Sequence, residues 1–136
     1  MKQPKADAER WLAQAENDLA FAELGAREGF AAQACFTSQQ AAEKALKAVH
    51  YGHGARFVLG HSLVELLDSL LAREPVLRPL RAAAGQLDQY YIPTRYPNGL
   101  PGGAPFEVFT TAQAHEAIRL ARLFMQAAGD IVRSTD

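Results

Sequence analysis

The residues with the most chemical potential lie in three short stretches. Gln39, Glu43 and Lys47 follow one another at steps of four, as do Gln40 and Lys44, so one helix carries a seam of amides, a carboxylate and ammonium groups. His61 stands just before Ser62, and Ser62 with Glu65 makes a helix-opening capping box. A histidine there feels the positive end of the helix dipole. That favours the neutral imidazole, which can act as a base, and the free N–H groups of the helix end attract phosphate. Further on, Arg95 and Tyr96 offer a guanidinium and a stacking ring, a pairing suited to a phosphate and a base. Each stretch also has a plainer reading. His61 can simply fix the chain's entry into a helix, and residues 92–105 can be a rigid crossover with a turn at Pro97, Asn98 and Gly99. The seam can be a solvated face, line a groove shared with the Arg95 loop, or be paired internally. Asp88 can orient Arg95 or be an ordinary surface carboxylate.

Other chemistries are disfavoured. The four histidines, at 50, 53, 61 and 115, lack the H-E-x-x-H spacing of a zinc helix and have no cysteine pair beside them, so neither a metal nor a cofactor is expected. Cys35 is the one cysteine and sits among Ala31, Ala34 and Ala42, as a small buried residue would. It excludes an internal disulfide and agrees with a reducing, cytoplasmic setting. The N-terminus lacks the apolar core of a signal peptide, and no apolar run approaches the ~20 residues of a membrane span. A net charge of −1 gives no global attraction to polyanions, so any site for one must be local.

Helices must position these groups. From Lys5 to Leu24, Trp11, Leu12, Ala15, Leu19 and Ala22 recur at threes and fours, which predicts a first helix. Gly25 and Gly29 bracket a turn, and a second helix runs from about Phe30 to Tyr51 before Gly52, His53 and Gly54 stop it. Its stretch from Phe36 to Val49 has alanine at 41, 42, 45 and 48 and neither glycine nor proline, the composition of a buried helix. A third helix begins at His61 to Leu63 and ends by Pro75. A fourth starts near Pro79, in its first turn, and reaches about Tyr91. The segment IPTRYPNGLPGGAP, residues 92–105, has four prolines and three glycines and is neither helix nor central strand. A capping box at Thr110 and Gln113 opens the last helix, with a wide apolar face from Ala114 to Ile131. With 136 residues, 49% of them apolar, and no strand pattern, the expectation is one all-α domain over 1–136. It is an up-and-down antiparallel bundle of four long helices and a shorter one, with a long Pro/Gly-rich loop before the last.

Asp18-Leu19, then Phe36 and QQAAEKALKA, then His61-Ser62-Leu63, then YIPTRYP from Tyr91 to Pro97 follow in an order that resembles the HEPN domain (higher eukaryotes and prokaryotes nucleotide-binding) over nearly the whole chain. It looks like the small free-standing prokaryotic members, typically encoded beside a minimal nucleotidyltransferase and often regarded as toxin and antitoxin partners. The resemblance implies a helical bundle, commonly a homodimer. Many HEPN proteins resemble metal-independent RNases that carry an arginine, four to six spacer residues and a histidine, which maps onto Arg56 and His61 in RFVLGH. Those two would share the tasks of base, acid and phosphate cation. Gln40, Glu43, Lys44, Lys47, Tyr91, Arg95 and Tyr96 would form the RNA- or nucleotide-binding surface. Two other functions stay open: a non-catalytic module binding a nucleotide or partner, and a dimerisation scaffold.

Overall fold

Proline at its first position and Asp7 in its first turn start helix α1, Pro4–Arg27, in the computed structural model, which describes residues 3–135. The expected domain spans 1–136, so positions 1, 2 and 136 lie outside the described residues. Ala8, Leu12, Ala15, Leu19, Ala22 and Ala26 are buried, a single stripe along α1 spaced alternately by four and three. The chain reverses at Gly29, whose φ of +86° is open to glycine at little cost, and the Phe30 amide donates to Gly25 O at 2.8 Å.

Helix α2, Ala31–Gly52, then runs back along α1. It also packs on the last helix and on the shorter helices, so it is the centre of the bundle. Alanines at 32, 34, 41, 42, 45 and 48 are essentially inaccessible to solvent, which lets neighbouring backbones approach on several sides at once. The last helix, α6 at Thr111–Arg133, begins with the expected capping box. Thr110 Oγ1 accepts from the Gln113 amide at 3.1 Å, and Gln113 Oε1 accepts from the Thr110 amide at 2.9 Å. Its buried face centres on Phe124 and completes a core with Leu46, Val49, Leu63, Leu67, Leu77 and Leu87.

The connections are more ordered than their composition indicates. Helix α3 is the single stretch Leu63–Asp68, capped by Ser62. The fourth helical segment starts as a 3₁₀ turn, Pro75–Leu80, and becomes α-helix α4 at Arg81–Asp88. The α-helix therefore begins two residues after Pro79 rather than around it, because Pro79 has no N–H to donate within the preceding turn. Past Asp88, turns carry the chain to Arg95, and the buried Thr94 hydroxyl donates to Tyr90 O. Residues 92–105 hold a 3₁₀ turn at Pro97–Gly99, as the Pro-Asn-Gly sequence predicts, and lead into the short helix α5, Pro105–Val108. The loop folds tightly on itself: a Cβ at Gly99 would lie 3.0 Å from Pro93 Cα, so a larger residue would force the backbone around Pro93 to give way. The described residues contain no strand, and none of their helices is long and apolar enough to cross a membrane.

Cys35 lies fully buried on α2, as its neighbours imply, and burial pushes its thiol up to about 12 from an ordinary 9.0. Above pH 9 the unfolded chain loses this proton while the folded chain keeps it, so stability falls as pH rises from about 9 to about 12. Replacing Cys35 with Ala should flatten that alkaline decline relative to the native chain. Urea denaturation across this pH range would show it, and parallel declines would contradict the burial of the thiol.

Candidate functional site

The polar seam of α2 is paired internally. Gln39, Glu43 and Lys47 are 0%, 4% and 7% exposed, although they sit on the helix with the most apolar surroundings. A carboxylate that deep must be met by donors, and Glu43 has three. Lys47 Nζ lies 3.2 Å from Oε2; His61 Nδ1 and Gln40 Nε2 lie 3.1 and 3.3 Å from Oε1. Lys47 also faces the ring of Trp11 at 5.9 Å, and Trp11 stacks on Tyr51. Lys44, one position past Glu43, turns the other way and bonds Asp18 of α1.

His61 is held from several directions but remains open to solvent, its side chain 58% exposed. Its Nδ1 faces the Glu43 carboxylate and therefore carries the proton, which leaves Nε2 with its lone pair free in the neutral ring. The Tyr91 ring stacks on the imidazole, centroids 4.9 Å apart and planes 18° from parallel. The turn after α4 brings Tyr91 there and also delivers Arg95. The Arg95 guanidinium carbon is 4.5 Å from the Phe36 ring centroid, 4.6 Å from that of Tyr91 and 5.1 Å from that of Tyr96, while Nε donates to Tyr91 O at 2.9 Å. Its remaining N–H groups are available to an anion.

The roles of two residues behind His61 do not follow from the sequence. Asp88 does not orient Arg95. It sits at the end of α4 and accepts from Ser62 Oγ, the Leu63 amide and the Val64 amide at 3.0, 2.8 and 3.1 Å, so it caps α3. Gln39 Nε2 donates to His61 O at 2.8 Å and lies 3.4 Å from Asp88 Oδ1. Phe36, at the start of the stretch with a buried helix's composition, is half-buried beneath Arg95.

Of the residues singled out by sequence, the fold thus gathers Gln40, Glu43, Lys47, His61, Tyr91, Arg95 and Tyr96 in one place. Arg56 is exposed on the segment before His61, and its guanidinium has no ion pair or hydrogen bond among the described residues. The other histidines have structural partners or none. His53 Nε2 meets Glu74 at 2.8 Å; His50 Nε2 meets Leu66 O at 3.1 Å, with burial holding that imidazole below its ordinary range; His115 is exposed on α6. Among the described residues, no cluster of three or more His, Cys, Asp or Glu could hold a metal ion.

Together these contacts make an imidazole whose Nδ1 is engaged by a buried carboxylate and which stands beside a guanidinium on aromatic rings. Such a set can bind a phosphate or a base and can take up a proton. The buried pair also has an energetic signature. Lys47→Met would leave Glu43 charged and buried without its counter-ion and should cost about 3–5 kcal/mol. The double variant Lys47→Met with Glu43→Gln should be more stable than Lys47→Met alone. Equal urea midpoints for the two would show that the ion pair is energetically idle.

The family model for the HEPN domain matches residues 8–131. Among solved structures, TT1696 from Thermus thermophilus is 40% identical with a TM-score of 0.87, covering 91% of this chain and 97% of that one. ST0689, an archaeal HEPN homologue, is 37% identical with a TM-score of 0.74 over the same shares, 91% and 97%. An HEPN domain protein from Thermotoga maritima, tm0613, is 30% identical with a TM-score of 0.74, covering 92% and 98%. No curated protein matches the chain. Matched along nearly its whole length in both sequence and fold, the chain belongs to the HEPN family.

Proposed function

We propose that the His61 site cleaves RNA without a metal. The observation that carries this reading is the Glu43–His61 pair: a half-open imidazole whose Nδ1 is engaged by a carboxylate only 4% exposed, which leaves Nε2 for a substrate. Nε2 takes the proton of a ribose 2′-hydroxyl, and O2′ attacks the adjacent phosphorus. The bond to O5′ breaks, and O5′ leaves as a hydroxyl after taking a proton from solvent. Arg95 meets the charge that develops on the phosphoryl oxygens, and Tyr91 and Tyr96 supply faces for the flanking bases. Arg56, on the exposed segment leading to His61, is a second phosphate contact farther along the strand. Lys47 and Gln40 act through Glu43, holding its carboxylate aimed at the ring, and Lys44 steadies α2 against α1. The toxin–antitoxin setting that the family resemblance implies belongs to the same proposal: the chain as a homodimer, with a minimal nucleotidyltransferase as the partner that restrains it.

A second reading is a nucleotide-binding module without turnover. It is favoured by Arg95, whose guanidinium already rests on three rings, a rigid arrangement suited to holding a phosphate beside stacked bases. The two separate in one experiment. With RNA in EDTA, cleavage should yield 2′,3′-cyclic phosphate and 5′-hydroxyl ends, and His61→Ala should slow it by about 10²–10⁴-fold. Full activity in His61→Ala would rule out the nuclease. An uncleaved RNA that still binds, and binds more weakly to Arg95→Ala, would support the binding module.

A further inference from the structure

We infer that Gln39 is a positioning residue for His61, and that with Asp88 it sets the imidazole against Glu43; this rests on the reading of His61 as the reactive base. An exposed ring needs something other than packing to hold it in place, and His61 has 58% of its side chain open. Its ring has two constraints, the Nδ1 bond to Glu43 and the stack on Tyr91, and both depend on where its backbone sits.

That backbone is fixed by Gln39. The amide is completely buried, and each of its polar atoms has a partner: Nε2 donates to His61 O at 2.8 Å and approaches Asp88 Oδ1 at 3.4 Å, and Oε1 accepts from Gln40 Nε2 at 2.8 Å. Gln39 and Glu43 are one turn apart on the same face of α2, so this helix grips His61 at two points, carbonyl and ring. Asp88 grips the next three residues through Ser62 Oγ and the amides of Leu63 and Val64. The segment 61–64 is thereby clamped between α2 and the end of α4. The turn that follows Asp88 bears Tyr91, which stacks on the clamped ring. Through its hydrogen bonds Gln39 joins both jaws of the clamp.

A buried amide with this many partners also serves the fold, so the test needs a readout that stability alone would not move. Gln39→Met keeps the length and volume of the side chain and removes its donors and acceptor. In the folded wild-type chain, long-range ¹H–¹⁵N NMR about two pH units above the usual imidazole range should show His61 in one tautomer, with Nδ1 protonated and Nε2 bare. Gln39→Met should turn this into a mixture of both tautomers. It should lower kcat for RNA cleavage by about tenfold to a hundredfold, the scale of a small misplacement, with KM within about twofold. A folded Gln39→Met chain with the wild-type tautomer and kcat would overturn the inference. If the wild-type chain does not cleave RNA, the nuclease reading falls and the tautomer decides alone: a mixture supports the clamp and a single form refutes it. Should Gln39→Met fail to fold, Asp88→Asn loosens the other jaw and is read by the same criteria.

Discussion

A carboxylate buried in the middle of a helical bundle is the constraint on which the rest of this structure turns. Left alone, Glu43 would cost several kcal/mol of lost hydration. Its partners are accordingly drawn from different parts of the chain: Lys47 from the next turn of α2, Gln40 from the preceding one, and His61 from the segment after α2. The last of these matters most for function. Helices α1, α2 and α6 would pack through their apolar faces whatever stood at position 61. The histidine is placed because the carboxylate needs a donor and the segment from 53 to 62 can bring one.

The same logic orders the far side of the site. Asp88, at the end of α4, takes up amides at the start of α3 that would otherwise be unpaired, and in doing so joins two helices too short to be stable alone. Gln39 links that join to α2. A polar network of Glu43, Gln40, Gln39, Asp88 and Ser62 therefore runs between α2, the start of α3 and the end of α4. Because the described residues contain no buried side-chain polar atom without a partner, this network is complete and can hold a defined geometry.

The extent to which the chain disclosed this beforehand differs by level. Helices α1, α2 and α6 were legible because each repeats apolar residues at threes and fours for five turns or more, and Thr110 with Gln113 marks where α6 starts. The start of α3 was marked by Ser62 and Glu65, but its end and the edges of α4 were not, since six and eight residues are too few for periodicity to speak and 3₁₀ geometry around Pro79 obeys a different spacing. At the site, residue types pointed to His61, Glu43 and Arg95. Burial did not follow from them: the spacing of Gln39, Glu43 and Lys47 defines a face of α2 but says nothing of what covers it. Asp88 and Ser62 are 26 positions apart in sequence, and no local pattern joins them. Arg56 stands five positions before His61, exposed and unpaired among the described residues, and no local pattern says what it meets.

Charge economy then explains the aromatic character of the site. The chain is close to neutral, and the lysines nearest His61 are committed, Lys47 to Glu43 and Lys44 to Asp18. An anion arriving here finds mainly Arg95. A lysine in that position would be a strongly hydrated point charge with no reason to stay put, whereas a guanidinium is planar and weakly hydrated and can lie against Phe36, Tyr91 and Tyr96 while its edge still donates hydrogen bonds. The rings therefore hold the cation flat. With so little mobile positive charge, long-range attraction to an anion is weak, and what the site offers is ring faces and the geometry of one imidazole beside one guanidinium.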